Sequence, residues 1–200
     1  AEDYGQRVTP SDIEKALNGE TNHFYGVKGL DENLSQIKDT MVQIENCQDE
    51  WLIKISESFN QLVPQLSLDG ITIYPVIGYD SGIGLDGTVC INLNYQPYFN
   101  NPQEILYTMM HEFFHVLYEK IHQIPTIDEL LVPEDWLAFF KMIVHNEGFA
   151  VYTPLQMREE YDHLDDSDYH VLNDPINLGQ HIKLFKDTLS ILEGEEELSQ

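Results

Sequence analysis

The sequence predicts an α+β fold in which helices dominate and a small mixed sheet supports a buried helix. Three observations carry that expectation. Apolar residues step by three and four from Leu34 to Leu62, the spacing of one helix stripe. Residues 88 to 95, TVCINLNY, alternate cleanly between apolar and polar, the period of a half-buried strand. The stretch between Pro102 and Pro125 is apolar on nearly every side, which marks a helix enclosed by other structure.

Taken in order, Ser11 and Glu14 form a capping-box pattern for a short helix ending near Gly19, and residues 20 to 30 read as a loop. The stripe Leu34, Ile37, Met41, Ile44, Trp51, Leu52, Ile55, Phe59, Leu62 then describes one long helix, or two broken near Gln48, stopped before Pro64. ITIYPVIG, residues 71 to 78, is a strand, and Pro75 favours an edge position or a bulge. DSGIGLDG reads as a flexible loop; it lacks a Walker lysine and no helix follows it, so it is not a phosphate cradle. In the next strand Val89, Ile91, Leu93 and Tyr95 share one face, and Thr88, Cys90, Asn92 and Asn94 the other.

Asn101 is placed to cap the buried helix, with Pro102 in its first turn and Glu104 favourable near its positive end. A second apolar helix begins around Pro133, with Glu134 and Asp135 in its first turn, and ends near Tyr152 before Pro154. EEYDHLDDSDYH reads as a loop, and an amphipathic segment over 178 to 192 leads into a charged tail, GEEELSQ.

Two hundred residues suit one domain. Its expected parts are an N-terminal helical region (1–68), a sheet with the helices of a site (69–155) and a C-terminal helical region (156–200). A composition 42% hydrophobic and 11% aromatic suffices for a core. Thirty-five acidic against ten basic residues give a formal charge of −25, which would repel nucleic acid and anionic membranes. Cys47 and Cys90 are expected as buried free thiols. No run reaches the ~18 apolar residues of a membrane span. A cytoplasmic location is the default, although a chain opening at Ala1 leaves room for a removed leader.

The chemistry concentrates in HEFFH, residues 111 to 115. His111 and His115, four apart on a helix, project from one face about one turn from each other and can reach a single ion. Glu112 is rotated about 100° from His111, beside such an ion, where a carboxylate can take a proton from water. Two histidines and a glutamate on an apolar helix would cost several kcal/mol unless hydrogen-bonded or coordinated. A third ligand should come from another element. Glu147, in VHNEGFAVY, lies 32 positions after His115 on the second apolar helix, followed by the small residues Gly148 and Ala150, which would allow close approach. His145 is a rival on another face of that helix, about 200° from Glu147, and His122 lies ~10 Å beyond His115 along the first.

HEFFH with a downstream glutamate in EGFAVY resembles a zincin metallopeptidase of the gluzincin type, over roughly residues 70 to 155. The resemblance implies a zincin-like fold and Zn2+ held by His111, His115 and Glu147. It also implies Glu112 as general base and acid in hydrolysis of a peptide or protein substrate, and a strand at 88 to 95 forming the sheet edge along which the peptide lies. An oxyanion donor is left open among Tyr152, Tyr161, His163, Tyr169 and His170, with Tyr152 disfavoured by its angle to Glu147. The chain departs from the thermolysin-like pattern at Val151, where an aspartate would orient the histidines, so another group must do so. It departs from the metzincin pattern at Tyr118, where a glycine would stand. Two other readings stay open: a zinc-binding recognition or regulatory domain without catalysis, which needs only the ligands, and a structural helical domain, which needs no metal.

Overall fold

The computed structural model describes residues 2–3, 6–7, 10–18, 30–65, 67–77, 81–165 and 167–194. The chain forms two compact units, Ala1–Ile121 and His122–Gln200. It is a mixed α+β structure, mostly helical, as the sequence predicts.

In the first unit, strands β1 (Glu2–Asp3) and β2 (Gln6–Arg7) pair antiparallel. Helix α1 spans Pro10–Leu17, so Ser11 falls inside the first turn rather than ahead of it. The expected helix end at Gly19 and the loop over 20–29 lie outside the described residues. Helix α2, Leu30–Leu62, is a single 33-residue helix without a break at Gln48. Ile37, Thr40, Trp51, Ile55 and Phe59 are its buried face, which is the predicted stripe with its N-terminal members, such as Leu34 and Met41, left exposed.

The sheet contains β3 (Thr72–Val76), β4 (Gly82–Leu85) and β5 (Thr88–Asn92) in the order β3-β5-β4. β3 runs parallel to β5, with Ile73 opposite Val89, and β4 runs antiparallel to it, with Gly84 opposite Val89. Pro75 sits on an outer strand, as its missing N–H requires. Two expectations are corrected. The segment read as a flexible loop contains β4, and the strand read over 88–95 is central, with a neighbour on each side. The sheet's edges are β3 and β4 instead. The alternation in β5 survives: Val89 and Ile91 are fully buried. Asn92, the last residue of β5, and Asn94, in the turn after it, are buried as well, the Asn94 amide donating to Asn92 Oδ1 at 3.0 Å and Asn33 Nδ2 to Asn94 Oδ1 at 2.9 Å. Cys47 and Cys90 are free thiols but half-buried rather than buried.

Helix α3 (Gln96–Asn100) leads to α4 (Gln103–Ile121). The predicted cap holds: Asn101 Oδ1 accepts from the Gln103 amide at 3.1 Å. α4 packs against β4 and β5 and buries eleven of its residues, Glu112 among them.

The second unit opens with a 3₁₀ turn, Ile127–Glu129. Helix α5 spans Pro133–Tyr152, and Asp135 reaches back to accept from the Val132 amide at 3.1 Å. Helices α6 (Leu155–Tyr161), α7 (Ser167–Asn173) and α8 (Pro175–Leu192) follow. The acidic stretch expected as a loop is helical at both ends and non-helical over 162–165, opening at Asp162, whose φ of 56° is left-handed. α8 begins three residues earlier than expected because Asp174 caps it, accepting from Ile176 N at 2.9 Å. Residues 195–200 of the charged tail lie outside the described residues. No described helix is long and apolar enough to cross a membrane.

Candidate metal centre

His111, Glu112 and His115 are brought together by the regular turn of α4. The two histidines are half-buried and their Nε2 atoms lie 3.0 Å apart. Two nitrogens bound to one tetrahedral zinc at 2.0–2.1 Å would lie roughly 3.3 Å apart, so the pair is already close to that disposition. Glu147, an exposed residue of α5, completes a group: one ligand atom from each of His111, His115 and Glu147 lies within 4.8 Å of the others. Two imidazoles and a carboxylate are the donor types zinc takes in catalytic sites. The donor set fits, and the group could hold a metal ion.

The rivals fall elsewhere. His122 is exposed just past the end of α4, and the His145 ring lies tilted against Phe149, ring centres 4.7 Å apart, beside an apolar cavity of about 370 Å³. Gly148 lines the same cavity, and a Cβ placed there would meet nothing within 4 Å, so this glycine is not needed for close helix approach.

Glu112 is only 7% exposed and lies beneath β4. A Cβ at Gly84 would stand 2.3 Å from the Glu112 carbonyl oxygen, and one at Gly82 would stand 3.0 Å from Glu112 Cγ and 2.8 Å from Thr108 Cγ2. Glycine at both positions is what lets the strand lie directly on the helix. Burial pushes the nearby Cys90 thiol up, and the charge of Glu112 pushes it the same way. Tyr98, 1% exposed, anchors the entry to β4 by donating to the Ser81 carbonyl at 2.9 Å. Burial raises its phenol far above the usual tyrosine range.

The sheet register shows which way β4 is open. Asn92 N donates to Ser81 O, so 81/92, 83/90 and 85/88 are the hydrogen-bonded pairs. The amides and carbonyls of Gly82 and Gly84 consequently point away from β5, along an edge that no other described strand covers.

One further carboxylate was not singled out by the sequence. Glu119 stands four residues after His115 and is half-buried; its Oε2 accepts from the Asp86 amide at 3.0 Å. Burial raises its carboxyl, the Asp86 hydrogen bond opposes that rise, the Asp86 charge adds to it and His115 opposes it. Its signal was the i, i+4 spacing alone, which on most helices marks a solvated face.

Among the candidate oxyanion donors, Tyr169 is buried and its hydroxyl donates to the Val151 carbonyl at 2.9 Å, under the Arg158 guanidinium at 4.6 Å from its ring. Tyr152 is half exposed at the apolar cavity, Tyr161 stacks on His163 with ring centres 6.0 Å apart, and His170 is exposed. Compared with protein-family models, curated proteins and solved structures, the chain matches none.

Proposed function

We propose that this chain is a zinc-dependent hydrolase, a gluzincin-like metallopeptidase. The observation that supports the reading is the His111, His115 and Glu147 group, with the two imidazole nitrogens 3.0 Å apart and all three ligand atoms within 4.8 Å. These three residues would hold the ion. A zinc bound there supplies a Lewis acid with an open position. Glu112 takes a proton from the attacking water and delivers it to the leaving amine. β4 orients the substrate: an extended peptide adds to the open edge through the Gly82 and Gly84 amides and carbonyls, directly above Glu112.

Purified without chelator, the protein should carry about one zinc per chain, and His111→Ala, His115→Ala and Glu147→Ala should each strip it. Elemental analysis reads the metal, and digestion of a broad peptide library reads the activity. Full zinc occupancy in Glu147→Ala with loss in His145→Ala would reassign the third ligand. Stoichiometric zinc with no cleavage of any peptide would leave a recognition domain in place of an enzyme.

A further inference from the structure

The sheet has two outer strands, and they differ in how they are protected. Edge strands usually carry a charge or a proline that blocks further pairing. β3 has Pro75, which offers no amide, whereas β4, GIGL, has neither device. We propose that the β4 edge and the outer sheet face beside it dock an extended basic segment, apolar at alternate positions and carrying Lys or Arg where it passes the Asp86 turn. The proposal rests on the reading above, in which that segment is the substrate, and narrows the substrate class.

Register defines the docked face. Cβ atoms at Gly82 and Gly84 would point at α4, so Ile83 and Leu85 point to the opposite side. There Ile83 shares a row with Cys90 and Tyr74, and Leu85 pairs with Thr88. Ile83, Leu85 and Tyr74 are each more than half exposed. A strand added to β4 would bond to the outward amides and carbonyls of Gly82 and Gly84. Its alternate residues would then stand about 4.5–5.5 Å from Ile83 and Leu85. Charge selects the occupant. From Ile55 to Glu119 the sequence has no Lys or Arg, yet Asp69, Asp86, Glu104, Glu112 and Glu119 fall within it. Two of these acids meet at the end of the edge, where Glu119 Oε2 accepts from the Asp86 amide at 3.0 Å in the turn after Leu85. Lys120, the next cation, is taken up by the Ser67 and Asp69 carbonyls at 3.1 and 3.4 Å, in the segment that leads into β3. A field of one sign attracts a cationic segment and repels an acidic one. A second copy of this chain fits poorly, since each carries −25 and β4 offers four residues.

Three synthetic peptides of equal length, alternating Val and Ser and ending in a Lys, Gln or Glu pair, are titrated into the full chain with zinc chelated. Chelation keeps cleavage out of the measurement, so a chain that holds no zinc would sink the metal reading and leave this docking intact. The Lys peptide should bind at least about fivefold tighter than the Gln peptide at low salt, with the Glu peptide weakest. The gap should close at about 1 M salt, where the Debye length is about 3 Å. Asp86→Asn combined with Glu119→Gln should close the same gap without weakening the Gln peptide. Asn tolerates the φ of 50° at that position, and Gln keeps an oxygen for the amide there, so the fold should hold. Ile83→Ser should weaken all three peptides. Equal affinity for the three, no binding of any, or a Lys preference that survives the double variant would each overturn the proposal. So would a dimer seen in sedimentation and lost in Ile83→Ser, which would give the face to a second copy.

Discussion

α4 and α5 are helices of 19 and 20 residues, both rich in Phe, Met, Ile and Val, yet they meet different fates. α4, in the first unit, buries eleven residues; α5, in the second, buries Asn146 and Ala150. Trp136, Val144, Phe149 and Tyr152 of α5 are all exposed. The difference lies in what each helix is given to pack on. α4 has the flat apolar face of a sheet, with Val89 and Ile91 pointing at it and glycines at 82 and 84 allowing contact. The described residues of the unit that holds α5 form helices and no strand, and apolar cavities of about 370 Å³ and about 580 Å³ lie along α5, the second lined by Leu131, Trp136 and Leu192 among others. Hydrophobic composition thus proposes burial, and the layer opposite decides it. The unit with the closed core carries the two histidines and Glu112.

The same substitution made in both helices should expose that contrast. Phe113→Ala removes a side chain 2% exposed and should cost about 3–5 kcal/mol in denaturant unfolding. Phe149→Ala, at a residue 45% exposed, should stay within about 0.5 kcal/mol. Equal costs would mean that α5 is covered in solution. Next in size, Gly84→Ala drives a methyl against the Glu112 backbone carbonyl and should destabilise by about 1–3 kcal/mol. Because β4 must lift, zinc-dependent turnover should fall further than stability does. Smaller than Gly84→Ala is Tyr98→Phe, which leaves the Ser81 carbonyl without its hydroxyl donor and should cost about 1–2 kcal/mol. A neutral Tyr98→Phe would show that the entry to β4 is held by packing alone.

What the sequence revealed follows the reach of each signal. α2, α4 and α5 were legible because periodicity, the Asn101 cap and the flanking prolines are local. The central place of β5 was not, because strand order depends on where β3 and β4 settle, and nothing local to 88–95 records it. β4 was misread because its glycines have two meanings. In a loop they give freedom, whereas here Gly82 and Gly84 give room for a helix backbone. The acidic segment after Arg158 reads as solvated, yet Arg158 is buried over Tyr169 and donates to the His163 carbonyl at 3.2 Å, a tertiary anchor invisible to composition. In the group that could hold a metal ion, His111, His115 and Glu147 were legible from motif and helix spacing.

The central claim is that Glu112 moves the proton while other residues hold the metal, and Glu112→Gln measured at matched zinc content tests it most directly. Glutamine has nearly the same shape, so the buried position beneath β4 should accept it with melting near that of the wild type. Zinc content should remain about one per chain, and cleavage of any peptide the wild type hydrolyses should fall at least about 100-fold. Turnover equal to the wild type would contradict the account, as would loss of zinc from an otherwise folded variant, which would make Glu112 a ligand instead of a base.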